Sequence, residues 1–246
     1  PLPLHLTEYA LERQIHYKDD TFVRFLDIFH HRLLSLFYRA WADGQPTVCY
    51  DRPGEDRFAV YLRAFFGLGL PALVDRDALP DNVKCHYTGH LSNQAKHPEG
   101  LLSMVRGYFQ VPAQMYEFIG ERLALPERYQ CLLGLNQETG TLGRTATLGS
   151  TVWEKGQKIR LRIGSLTLAH YEKLLPEGGS LGKLIAMVKL YTNGQFNWDV
   201  QLVLLAEEVP KTELGQQGRL GWTTWLGERR SPQDADDLYL NPNRRG

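Results

Sequence analysis

Neither sign of charge is in excess in this sequence, where 28 lysines and arginines stand against 28 aspartates and glutamates. A chain that grips nucleic acid or an anionic membrane ordinarily carries a basic surplus, so both partner classes lose their simplest support. Cysteine is scarce: Cys49, Cys85 and Cys131 are far apart and form no C-x-x-C pair. That spacing argues against a disulfide framework and a thiolate zinc site, and it fits a reducing cytoplasm. No apolar run approaches the roughly 18 residues of a membrane span. A signal peptide is missing, and so is an opening methionine; "PLPLHL" reads as a cut through a longer protein, with an upstream region expected. What is present is 246 residues, 43% hydrophobic, enough to bury a core in one globular domain or two small ones.

The first clear element is "DDTFVRFLDIFHHRLLSLFYRAW". Phe22, Phe25, Leu26, Phe29, Leu33, Leu36, Phe37 and Ala40 recur at helical spacing on one stripe, with Arg24, Asp27, His31 and Ser35 opposite. The pattern predicts a long amphipathic helix capped by Asp20, with Asp19 beside it, and ended by Gly44 and Pro46. A second helix is expected over "EDRFAVYLRAFF", stopping at Gly67 and Gly69, and a short third after Pro80. Residues 1–88 therefore read as a helical N-terminal part.

Beyond that point one stretch occurs twice. "LGRTATLGSTVW" (Leu142 to Trp153) and "LGQQGRLGWTTW" (Leu214 to Trp225) share six identities at fixed spacing, and a Leu-Leu pair (Leu132 and Leu133; Leu204 and Leu205) lies equally far upstream of each. Weaker anchors keep the same order: Gly89-His-Leu91 with Gly164-Ser-Leu166, "PEG" at 98–100 with "PEG" at 176–178, and "MVRGY" with "MVKLY". Their spacings differ only in polar or Gly/Pro stretches, where loops absorb insertions. The reading is a tandem duplication, 89–157 and 158–226, in units too long and too few for a solenoid, followed by a polar tail at 227–246.

Within the second copy, "KIRLRI" alternates Ile159, Leu161 and Ile163 against Lys158, Arg160 and Arg162, and is expected to pair with "TVW" across the turn "EKGQ". "LTLAHYEKLL" and "LGKLIAMVKLY" carry helical spacing, the latter with Ser180 as cap, and "FNWDVQLVLL" returns as a strand with Trp198, Val200, Leu202 and Leu204 facing inward. The fold class is α+β: a helical N-terminal part, then two repeats of a small antiparallel sheet with helices on one face, each carrying a long Leu-Gly loop.

Enzyme motifs are weak. "GGSLG" at 178–182 fits G-x-S-x-G, but the residues before it read as a helix ending at a proline, whereas a nucleophile elbow follows a strand. Ser180 is more simply an N-cap. The near-match to a phosphate loop fails because Leu184 follows Gly182-Lys183. His86 and His90, four apart beside Cys85 with His97 farther on, have the spacing of two metal ligands, yet the metalloprotease glutamate is missing and no second ligand pair occurs. A hydrolase built on Ser180 and a metal protein built on His86 and His90 stand as the alternatives. The acidic run Asp234, Asp236, Asp237 lies in the tail and is expected to be solvated or bound by a partner. The chain is expected to be no enzyme and to hold no cofactor or metal.

The duplicated loop suggests docking instead. Glycine permits a sharp turn that lifts a leucine off the parent fold. Burying one leucine in a partner is worth about 1.5–3 kcal/mol, so a loop with two could supply about 3–6 against roughly 8 for micromolar binding. One loop would hold weakly, but two on one body raise effective concentration. The candidate contact residues are Leu142, Gly143, Leu148 and Gly149 in the first loop, and Leu214, Gly215, Leu220 and Gly221 in the second. The opposing reading folds the four leucines back onto their own sheet, and Trp153 and Trp225 are expected to fill equivalent core slots.

"FLDIFHHRLLSLFYRAW" after "PLPLHLTEY", then "YTGHL", "IGSLTL…Y…LLP", "WDVQL" and "LGWTTWL", together resemble the TssG (ImpH, VasB) family of bacterial type VI secretion baseplate subunits. The likeness runs from Pro1 to Leu226, with Ser165 where the family more often has proline and Glu154 where aspartate is common. It implies a structural subunit of a cytoplasmic baseplate wedge, docked at the inner-membrane complex, with two copies of TssF, one TssE, two TssK trimers and the VgrG spike hub as partners. It also implies a further N-terminal region. Carried onto this sequence, the two loops would each enter one TssK trimer, and the amphipathic helix would pack with TssF.

Overall fold

Helical spacing in the first 64 residues becomes helices in the computed structural model, which describes residues 2–132, 137–211, 218–225 and 231–242. Contacts divide the chain into two units, Pro1–Ala64 and Phe65–Gly246, and the change of texture near residue 89 falls inside the second. In the first unit α1 (Leu4–Tyr17), α2 (Thr21–Ala42), α3 (Pro46–Tyr50) and α4 (Arg57–Phe65) follow one another. α1 is not among the helices expected from the apolar spacing. Asp20 occupies the N-cap of α2 without making a side-chain cap bond. Asp19 does that work: its Oδ1 accepts from the Thr21 amide at 3.0 Å and from the Thr21 hydroxyl at 2.6 Å, and Arg13 pairs with it at 3.2 Å. Tyr9 meets Phe22 edge to face at 5.7 Å, so α1 and α2 touch. Yet the apolar stripe of α2 is not a core: Phe25, Phe29, Leu33 and Phe37 each remain more than half exposed, and Ala42 is the helix's buried residue.

The second unit holds the core. Its helices are α5 (Asp81–His86), α6 (Thr88–Ser92), α7 (Pro98–Phe109), the short α8 (Gln137–Gly140), α9 (Leu168–Leu174) and α10 (Ser180–Thr192). The strands are β1 (Ala113–Tyr116), β2 (Glu121–Ala124), β3 (Thr151–Glu154), β4 (Lys158–Leu166), β5 (Asn197–Leu204) and β6 (Ala235–Leu240). They form a four-stranded sheet in the order β1-β4-β5-β6 and a separate β2-β3 ribbon. Neighbours across the sheet align by register: Met115, Leu161, Val200 and Leu240 make one apolar row, and Ala113, Ile163, Leu202 and Leu238 the next. These rows join the buried faces of α7, α9 and α10 in one cluster that includes Met104, Tyr171, Leu184 and Met187.

The expected pairings change here. β4 does not pair with β3; it lies between β1, antiparallel, and β5, parallel, while β3 pairs with β2. The sheet is mixed rather than antiparallel, because α9 and α10 carry the chain back across between β4 and β5, a connection that delivers a parallel neighbour. Nor does each copy build its own helix-covered sheet. "MVRGY" lies in α7 and "MVKLY" in α10, each followed by a strand, β1 or β5, and these flank β4 in one shared sheet. A two-stranded sheet alone is marginal in water, and sharing one core relieves that. Other anchors fail to match in space: Gly89-His-Leu91 is helical in α6, whereas Gly164-Ser-Leu166 ends β4. At Gly164, with φ of +134°, a side chain would collide with the Val203 carbonyl oxygen of β5, so glycine is needed at this irregular step in the ladder.

The opposite sheet face is polar but covered. Asp199 is nearly buried and accepts from Arg160 Nε at 2.6 Å and Nη2 at 3.0 Å, with Lys158 Nζ also 3.0 Å away. The Arg160 guanidinium lies 4.5 Å over the Tyr239 ring, and Gln201 Nε2 donates to the Tyr239 hydroxyl at 2.9 Å. Tyr239 belongs to β6, so part of that cover comes from the tail. In α5, buried Lys84 is gripped by Asp81 at 2.8 Å and Asp77 at 3.0 Å. Burial alone would push its pKa down, but these carboxylates hold it above the usual lysine range.

Candidate docking loops

The first loop leaves α8 and ends in β3. Its turn is collected by one residue: the Thr141 carbonyl accepts from the amides of Arg144 (3.1 Å), Thr145 (3.0 Å) and Ala146 (3.2 Å), and the Thr141 amide donates to Thr145 Oγ1 at 3.2 Å. Leu142 sits at the tip, 93% exposed, and Leu148 farther on is 94% exposed. Gly143 and Gly149 have φ of +76° and +89°, and neither has an atom within 4 Å of where a Cβ would stand. Downstream the Leu125 amide donates to the Ser150 carbonyl at 2.8 Å, fastening the loop to the β2-β3 ribbon.

In the second loop, Leu214 and Gly215 lie outside the described residues, and the structure resumes at Gly218. Leu220 is 94% exposed and Gly221 has φ of +81°. The Arg219 carbonyl accepts from the amides of Trp222 (3.0 Å) and Thr223 (2.9 Å), and the Arg219 amide donates to Thr223 Oγ1 at 2.8 Å. This loop is hung from the core itself. Trp222 and Trp225 pack against the apolar cluster, the Tyr171 hydroxyl donates to the Trp222 carbonyl at 3.1 Å, and Trp225 Nε1 donates to Asp237 Oδ2 at 2.9 Å. Burial, with a smaller contribution from the Asp237 charge, raises the Tyr171 pKa well above the ordinary tyrosine range, so the hydroxyl stays a donor.

Trp153 departs from the expected core slot. It is 60% exposed and lies over Gly120, where any Cβ would strike its ring, whereas Trp225 is half-buried against the cluster. The upstream leucine pairs differ too: Leu204 is buried in β5, while Leu132 is exposed and Leu133 lies outside the described residues. Among the described tail residues, Ala235–Leu240 form β6 instead of a solvated run. Asp234 accepts from the Ala206 amide at 3.1 Å and from the Ser165 hydroxyl, and Asp237 holds Trp225. Local patterning could have found β6, since Leu238 and Leu240 alternate with Asp237 and Tyr239.

The alternatives lose their geometry. Ser180 is the first residue of α10 and not its cap, which is Gly179 in a left-handed conformation, and α9 rather than a strand precedes it. The elbow needs a strand at that place. His86 and His90 fall in different short helices with the Tyr87 ring between them. Among the described residues no group of three or more His, Cys, Asp or Glu side chains is placed to hold a metal ion, and none of the three cysteines forms a disulfide. No described helix is long and apolar enough to cross a membrane.

Two solved structures are similar in fold. One is a chain of the TssK-TssF-TssG baseplate subcomplex of the type VI secretion system seen by cryo-electron microscopy, with TM-score 0.71 and 19% identity over 87% of this chain and 90% of its own. The other is a chain of the type VI secretion baseplate complex, with TM-score 0.64 and 22% identity over 100% of this chain and 72% of its own. No curated protein matches the chain. The family model described as type VI secretion, TssG, matches residues 1–227, and by that match the chain belongs to the TssG family.

Proposed function

We propose that this chain is a non-enzymatic structural adaptor of a type VI secretion baseplate wedge, working in the cytoplasm. It bridges two copies of TssF and one TssE to two TssK trimers, with the VgrG spike hub beside it. Each Leu-Gly loop enters an apolar pocket of one TssK trimer. The observation that carries the reading is the exposure of Leu142, Leu148 and Leu220, each at 93–94% and each followed by a left-handed glycine. Leucines presented to this degree on tight turns are left uncovered among the described residues, and burial in another protein would gain what folding leaves unused. The exposed apolar stripe of α2 supports a second interface, proposed to receive TssF. TssK and TssF are the companions of the similar chain in the baseplate subcomplex.

Capture of TssK by the full chain co-expressed with TssF tests this. One variant carries Leu142→Asp and Leu148→Asp, a second carries Leu214→Asp and Leu220→Asp, and a third carries all four. Either loop variant is expected to lower capture and the fourfold variant to abolish it; undiminished capture by the fourfold variant contradicts the reading.

A further inference from the structure

The sequence pattern X-Leu-Gly-X-Thr occurs at 141–145 (TLGRT), 147–151 (TLGST) and 219–223 (RLGWT), while the segment opening the second loop, ELGQQ at 213–217, lacks the threonine. Two of the three are closed identically. At 141–145 and at 219–223 the first residue's amide donates to the threonine Oγ1 four positions on, and its carbonyl accepts the amide of that same threonine. The leucine in second place is 93% or 94% exposed, and the glycine in third place has φ of +76° or +81°. The stretch 147–151 cannot close this way: Thr151 has entered β3, where it pairs with Ala124. Alignment of the duplicated stretches sets Leu142 against Leu214 and Leu148 against Leu220, whereas the geometry sets Leu142 against Leu220.

Building on the docking-loop reading, we infer that the recognition unit is this threonine-closed five-residue turn, with Leu142 and Leu220 as its two knobs and Thr145 and Thr223 as positioning residues. The chemistry is preorganisation. A hydroxyl that bridges the turn back to its first amide removes a backbone donor from water and fixes the leucine's direction before any partner arrives, so less freedom is lost on binding. An apolar socket that accepts one such turn accepts the other, which lets a single kind of partner be held twice. Leu148 is equally exposed but lies on the approach to a strand, without that closure.

The test uses the full chain co-expressed with TssF and TssK as the probe. Thr145→Val and Thr223→Val keep the shape of the side chain and remove the hydroxyl; each is expected to weaken TssK binding by about five- to tenfold and to speed amide exchange at Thr141 or Arg219, with the unfolding midpoint unchanged. Thr145→Ser and Thr223→Ser restore the wild-type values. Leu142→Asp and Leu220→Asp lower capture, and each lowers it more than Leu148→Asp does. The inference is overturned if the valine variants bind and exchange like wild type, or if Leu148→Asp costs as much as Leu142→Asp. Exchange rates are read without TssK, so they judge the turn even if the loop-wide variants remove the docking reading.

Discussion

A leucine at 94% exposure is a poor investment for a monomer, and what keeps Leu220 there is the residue after it. Gly221, like Gly143, holds a φ that costs an L residue about 1–2 kcal/mol, with open space around its Cα, so alanine would meet strain but no clash. Gly143→Ala or Gly221→Ala should therefore loosen the turn by about 1 kcal/mol and weaken TssK binding about fivefold, without moving the unfolding midpoint. Gly54→Ala, also in open space but without a left-handed φ, is the control and should change neither. A titration of TssK against each variant measures it; equal affinity for Gly221→Ala and wild type would mean that the turn's shape does not matter. At this scale the sequence was informative about which residues stand out, since both glycines and both leucines were picked from the repeat. It was silent on Thr145 and Thr223, because a hydroxyl's role depends on which amide the folded turn brings within reach.

Elements were legible where the signal is local. The spacing of apolar residues located α2, α4, α9 and α10 and the inward face of β5, where Trp198, Val200, Leu202 and Leu204 are indeed buried. Pairing was not legible, because alternation in "KIRLRI" says which face of β4 is buried and nothing about which strands lie beside it. The parallel β4-β5 pair places Lys158 and Arg160 against Asp199, an arrangement that no single segment announces. Burial works to raise the pKa of Asp199, but the hydrogen bonds and charges of Arg160 and Lys158 win and hold it below the ordinary carboxylate value. A carboxyl depressed in the folded state stabilises the fold above its unfolded pKa near 3.9, and that contribution is lost as pH falls through the lower folded value. Asp199→Asn should thus cost about 2 kcal/mol at neutral pH, less than a fully buried broken pair because Lys158 and Arg160 keep some solvent. Denaturant unfolding of wild type and Asp199→Asn should show the gap constant from pH 5 to 8 and closing in acid below about pH 4. A gap that widened in acid would contradict the sign.

For the whole molecule, the family and its α+β class were readable from motifs scattered along the chain, but the architecture was not. One mixed sheet is assembled from both copies and finished by the tail, where β6 supplies Tyr239 to the polar face and Asp237 to Trp225. The anchoring of the loops differs accordingly: the first rises from a two-stranded ribbon, the second from the core itself. Even so, the two loops are proposed to act as two grips on copies of one partner, each too weak by itself and durable together. The most direct measurement is the mass of the complex formed by TssK with the full chain and TssF, by native mass spectrometry at saturating TssK. Wild type should carry two TssK trimers, Leu142→Asp one, Leu220→Asp one, and the double variant none. Two trimers still bound to either single variant, or one trimer on the wild type, would contradict the account.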